Sequence, residues 1–417
     1  MRGARGKFLL KMNKIQKFSG SLFSITFLLI IIWLSFLAIP IYEIFRNGII
    51  VLLCAALLIS FFARKVNLET KDWLVLLFLV FLSLGFVWAK DKQSALHYFI
   101  GFILPGPILY FLFKNEFAFL KEKEHFFLLL MSCAAIVAMI GIAEFHFRKN
   151  IIYEYWLNNN FFSFFNAQGR AMSTQFVPQV FALFLGACLP FFYNLIFKSK
   201  KLFLKLIVVI FTLLIAAGIF ISFTRGVLLA VFLASLFYAS FKKPKMARYI
   251  ILIFLVIVLL SSVGKANYML PFYRFSFGML VDSGARLKSW TIALHMAQDH
   301  PFNGVGVGQY RAFYDFYDSG KVQEYAKIPD NMFLTILAEG GICVFLCFLI
   351  FIFLLLRGAL RHIRLRRCET DLVLALSTGI VVILIAMIYF DALYWVVPLY
   401  IFWIYCGSLA ALTESKK

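Results

Sequence analysis

The sequence predicts an all-α polytopic membrane protein with about twelve transmembrane helices. Three observations lead there. Of 417 residues, 63% are hydrophobic, 18% aromatic and only 15% charged, more apolar surface than a soluble core could hide. The apolar residues fall into runs approaching the ~20 that a membrane-crossing helix needs. Those runs are continuously apolar, whereas the strands of a membrane barrel alternate lipid-facing and lumen-facing residues.

In chain order the expected spans are 22–41, 49–63, 73–89, 97–113, 126–145, 176–197, 202–222, 226–241, 249–264, 331–356, 371–390 and 394–412. The second and eighth are short and rely on packing among neighbours. MRGARGKFLLKMNKIQKF precedes a full-length span without a small-residue cleavage site, so it reads as a tail before a retained first helix. No soluble domain is appended and no internal repeat is evident. Residues 1–417 read as a single integral membrane domain.

The net charge of +21 reports topology. With the N-terminus in the cytoplasm, the basic clusters at Arg2–Lys17, Arg64–Lys71, Lys114–Lys123, Lys198–Lys205, Lys242–Arg248, Arg357–Arg367 and Lys416–Lys417 all fall inside, as the positive-inside rule requires. Both termini are then cytoplasmic, and nucleic acid is not an expected partner. Of the seven cysteines, Cys54, Cys133, Cys188, Cys343, Cys347 and Cys406 lie in expected spans and Cys368 lies inside, which leaves no external disulfide framework.

Two long segments are expected on the outer face. The first, 146–175, interleaves Tyr153, Tyr155, Trp156, Phe161, Phe162, Phe164 and Phe165 with polar residues. It reads either as an interfacial aromatic belt or as a contact surface for a lipid-linked substrate. The second, 265–330, is the only long polar interruption of the chain. Asp282 or Ser283 can cap a helix from about Gly284 to about Gln298. Trp290, Ala293, Leu294 and Ala297 give that helix an apolar stripe, with Arg286 near it. Pro301 ends the helix, and Gly304, Gly306 and Gly308 suggest a flexible turn. GVGVG lacks the strand-to-helix setting of a dinucleotide loop. It is a tight turn, or a set of backbone donors near phosphate.

Arg225 stands in ISFTRGVLLA, between two apolar runs with almost no connecting loop. A charge at that depth needs water, a partner or an anion, so Arg225 either snorkels to lipid phosphates or binds a buried phosphate. Arg286 and Arg170 add two more outward guanidiniums, whose planar donors suit phosphate and could stabilise a departing diphosphate. Asp330 begins the next membrane helix, as its N-cap or as a general base for a sugar hydroxyl. Glu339, deeper in that helix, reads as support. The six histidines lack paired metal-ligand spacing, and neither a metal nor a cofactor is expected.

GRAMSTQFVP around Arg170, SFTRG around Arg225, GARLKSWTIALHMAQDHPFNGVGVGQY from Arg286 and PDNMFLTILAEGG from Asp330 together resemble the O-antigen ligase/polymerase family of bacterial membrane glycosyltransferases, over about residues 165–345. The resemblance implies a GT-C-like fold in the bacterial inner (cytoplasmic) membrane, with the active site facing the periplasm. It also implies metal-independent transfer of a glycan from an undecaprenyl-diphosphate donor to an acceptor hydroxyl on lipid A core, another glycan or protein. Carried onto this chain, Arg225 and Arg286 bind the diphosphate and Arg170 assists. Trp290, His300 and Asn331 join the substrate site, and Asp330 is the base. The family commonly has a His-Asn pair where this sequence has Asp330-Asn331, so His300 is an alternative base. Gln179 likewise follows Pro178 where the family often has Asn. A lipid-linked oligosaccharide flippase or other export transporter is the competing reading. Its polar residues should run through the membrane centre, whereas these gather on one side.

Overall fold

A computed structural model describes residues 2–35, 42–64, 67–120, 123–149, 169–175, 177–252, 255, 284–318 and 327–414. Fourteen α-helices carry the argument: α1 (Arg2–Ser35), α2 (Tyr42–Ala63), α3 (Thr70–Leu84), α4 (Lys92–Tyr98), α5 (Pro105–Phe117), α6 (Lys123–Phe147), α7 (Pro178–Lys198), α8 (Leu202–Ile221), α9 (Arg225–Lys242), α10 (Gly284–Asp299), α11 (Tyr310–Tyr317), α12 (Met332–Arg364), α13 (Thr370–Ala386) and α14 (Val396–Thr413). Among the described residues there is no strand. The chain is an integral, polytopic, all-helical membrane protein.

Among the described residues, eight helices are long and apolar enough to cross a membrane: Ile15–Ser35, Lys92–Phe117, Phe126–Phe147, Pro178–Lys198, Leu202–Ile221, Arg225–Lys242, Met332–Arg364 and Val396–Thr413. Two shorter apolar helices, Asn47–Ala63 and Thr370–Ala386, match the expected 49–63 and 371–390. The expected 73–89 is helical only to Leu84, ending in a turn at Gly85. Most of 249–264, the seven aromatic residues from Tyr153 to Phe165, and 265–283 lie outside the described residues.

Local sequence explains the irregularities. Pro105 has no N–H to close a normal turn, and the Leu104 N–H bonds Phe99 O at 2.8 Å instead. The resulting π-helical turn, Phe99–Ile103, joins α4 to α5. α7 and α14 are mostly buried, whereas α8 is mostly exposed, so α8 has the continuously apolar surface of a lipid-facing helix. α5 and α14 approach closely because a Cβ at Gly106 would overlap the Trp403 indole.

One end of the bundle is clamped by ions. Lys114 pairs with Asp72 and, at 2.7 Å, with Glu414, while Arg64 meets Glu116 at 3.1 Å. Ser19 and Ser60 also donate to Glu116, so the buried carboxylate is well supplied with donors. α10 and α11 lie at the other end, where α12 begins and α13 finishes.

Candidate active site

α10 runs beside the first turns of α12. Its buried face is Ser289, Ile292, Ala293 and Met296, the i, i+3, i+4, i+7 stripe of a helix with one face covered. Ile292, Ala293 and Met296 pack with Val305, Tyr310, Tyr314 and Ala338. The expected stripe is therefore rotated: Trp290 and Ala297 are half-buried at its edge, and Leu294 is exposed.

That packing brings four of the expected site residues together. The Trp290 indole N–H donates to Pro329 O at 2.8 Å. Arg286 Nε lies 3.5 Å from Asp330 Oδ2. Asn331, rather than Asp330, caps α12, its side chain accepting from the Phe333 and Leu334 N–H groups at 3.1 and 3.2 Å. With the capping role filled by its neighbour, Asp330 keeps its carboxylate for Arg286. Its backbone is left-handed (φ 50°), a conformation that Asp tolerates better than most residues. Burial pushes the Asp330 carboxyl above the usual carboxylate range, and the Arg286 charge and hydrogen bond pull it part of the way back.

Asp391, absent from the sequence expectations, supports this arrangement. It sits in the turn between α13 and α14, buried, and accepts the Asp330 N–H at 3.1 Å and the Thr335 hydroxyl at 2.6 Å. Its carboxyl is pushed up to about 7, by burial first and by the nearby Asp330 charge as well. The sequence signal was a lone carboxylate in the three-residue gap between two apolar runs.

Arg225 is half-buried as the first residue of α9, where its charge adds to the positive helix N-terminus. The α13–α14 turn links it to the Asp330 region. A Cβ on Gly226 would press on Tyr389, and Met387 O accepts the Met332 N–H at 2.8 Å. Arg170 braces the approach to Arg225: its Nε donates to Ser222 O at 3.0 Å, and its guanidinium reaches Thr224 Oγ1 at 3.3 Å. Those contacts hold a turn containing Phe223 at φ 49°.

His300 is not in this group. It is exposed just beyond the far end of α10, its ring 6.1 Å from that of Phe313. Fourteen residues of helical rise separate it from Arg286, roughly 20 Å. The GVGVG turn is likewise no free anion nest. Its Val305 and Gly306 N–H groups bond Ala338 O and Glu339 O, and the Gly308 N–H bonds the Glu339 carboxylate. Among the described residues, no three His, Cys, Asp or Glu side chains gather as a metal site would require.

No curated protein matches the chain. Residues 210–349 match the family model described as O-antigen ligase, a segment running from within α8 through α9, α10, the glycine turn and α11 into α12. Arg225, Arg286, Trp290, Asp330 and Asn331 all lie within it, whereas Arg170 and Asp391 flank it. This segment matches an O-antigen ligase domain, and it is set in a chain with several membrane-spanning helices.

Proposed function

We propose that the protein transfers a glycan from a polyprenyl-diphosphate carrier, of the undecaprenyl type, to an acceptor hydroxyl with inversion at the anomeric carbon. The observation that carries this reading is the meeting of Arg286 with Asp330 at the mouth of α12, inside the matched segment. A cation for the leaving diphosphate and a carboxylate for the incoming hydroxyl are the two groups such a displacement needs.

The acceptor oxygen attacks the anomeric carbon and its proton passes to Asp330. The bond from that carbon to the diphosphate oxygen breaks, and the electron pair leaves with the diphosphate. Arg225 and Arg286 bind the departing charge through paired, charge-assisted hydrogen bonds. Burial supports Asp330 as the base, because a raised carboxyl is a stronger proton acceptor than an exposed one. Arg170 acts by holding the Ser222–Thr224 turn before Arg225. Trp290 and Asn331 fix the backbone on either side of Asp330.

The site faces the periplasm of a bacterial inner membrane, with both termini cytoplasmic and about twelve spans. The basic connections at the opposite end support that orientation. The acceptor is lipid A core or protein for a ligase, and another repeat unit for a polymerase.

The test is reconstitution with a defined lipid-linked repeat and separated acceptors. Longer lipid-linked chains identify a polymerase, and transfer to lipid A core or protein a ligase. Movement of the donor between leaflets with no new glycosidic bond would overturn the proposal in favour of a flippase.

A further inference from the structure

α12 is broken at Gly341, whose backbone leaves helical space (φ 70°, ψ −175°), a region that essentially only glycine enters. The break frees the carbonyls of Ala338 and Glu339 and the N–H of Ile342 from their helical partners. Inside a membrane such groups must be satisfied by protein. The segment after α10 supplies them: Val305 N–H to Ala338 O at 2.9 Å, Gly306 N–H to Glu339 O at 3.0 Å, and Ile342 N–H to Pro301 O at 2.8 Å. The two backbones approach so closely that a Cβ on Gly304 would overlap Glu339, and one on Gly341 would overlap Phe302.

The Glu339 side chain completes the junction. Its carboxylate, buried with 4% exposure, accepts the Gly308 N–H at 2.8 Å and the Tyr310 N–H at 3.0 Å, and also takes the Tyr394 hydroxyl. One side chain thus ties the glycine turn, the start of α11 and the α13–α14 turn. At the other end of the arm, α10 is held to α12 by Trp290 and Arg286. Glu339 lies nine residues beyond Asp330, about 13 Å along the helix, and acts on the site only through that arm.

We propose that Glu339 is a positioning residue for glycan transfer, seating the α10–α11 arm in the α12 break so that Arg286 meets Asp330. Its catalytic consequence rests on the proposed glycan transfer, whereas the docking itself does not. A carboxylate is needed because both oxygens face donors. In either orientation glutamine would set its own N–H groups against a backbone N–H, that of Gly308 or that of Tyr310.

Amide hydrogen exchange and transfer kinetics on the purified full-length protein test this separately. In Glu339→Gln, exchange over 304–310 rises roughly tenfold while α7 and α14 keep their protection. kcat for a lipid-linked glycan falls roughly tenfold with the acceptor KM within about twofold. Tyr394→Phe leaves both backbone donors paired and gives a smaller change of the same kind, roughly threefold. Unchanged exchange over 304–310, an equal rise in α7 and α14, or loosened docking with undiminished kcat would each overturn the proposal. A wild-type protein that transfers no glycan removes the transfer reading, and the exchange measurement still decides the docking.

Discussion

Arg286 and Asp330 are paired across the α10–α12 junction, Nε to Oδ2 at 3.5 Å, with side chains 48% and 28% exposed. With its cationic partner half-exposed, the pair is held weakly and can be exchanged for a more highly charged partner. In the proposed reaction Arg286 turns to the diphosphate, which removes the charge that lowers the Asp330 carboxyl. Asp330 then becomes more basic only once donor is bound. Asp330→Asn should therefore bind a non-transferable lipid diphosphate about two- to fivefold more tightly, while losing roughly a hundredfold or more in transfer. Weaker binding by this variant, measured by equilibrium titration, would sink the competition between the two anions.

Arg225→Ala and Arg286→Ala should each lower transfer by about a hundred- to a thousandfold, with the protein still folded in the membrane. Lysine at either position should restore only a part, since it lacks the paired donors of guanidinium. Normal turnover in both alanine variants would remove the diphosphate clamp.

Arg170 is expected to behave differently, because its guanidinium bonds the Ser222 carbonyl and the Thr224 hydroxyl. Arg170→Ala should destabilise the fold by about 1.5–3 kcal/mol and reduce kcat by releasing the turn before Arg225. Denaturation in detergent reads the first effect and steady-state kinetics the second. A variant of full stability whose only change is a raised donor KM would make Arg170 a direct ligand.

Much of this arrangement was legible in the sequence. Hydrophobic runs located most of the described helices and Pro301 the end of α10, whereas Arg286, Trp290 and Asp330 stood out singly and meet only in the fold. Glu339 reads as support from its place in the helix, but its partners were not legible, nor was any role for Asp391, because both depend on backbone N–H groups far away in sequence. The glycines were half legible. Gly304, Gly306 and Gly308 do take left-handed backbone (φ 62°, 100° and 68°), as the turn reading requires, but each also lets the backbone press against another element, which local sequence does not show. The rotation of the α10 stripe from Leu294 to Ile292 and Met296 likewise follows from where α12 lies.

Asp391 leads to a pH effect of definite sign. Burial pushes its carboxyl up to about 7 in the folded protein, against ~3.9 for aspartate in an unfolded chain. The folded state therefore holds the proton more tightly. Its contribution to stability is fully present below about pH 4 and is lost as pH rises through about 7. Between those limits the wild-type thermal midpoint should decline relative to Asp391→Asn, whose side chain does not titrate. The difference in slope integrates to on the order of 1–4 kcal/mol. The absolute midpoint of Asp391→Asn shifts as well, because an amide must rearrange its bonds to the Asp330 N–H and the Thr335 hydroxyl. The slope, not the absolute midpoint, is the readout. Thermal unfolding of both proteins in detergent between pH 4.5 and 7.5 measures it, and parallel profiles would show that the Asp391 carboxyl is not raised by its burial.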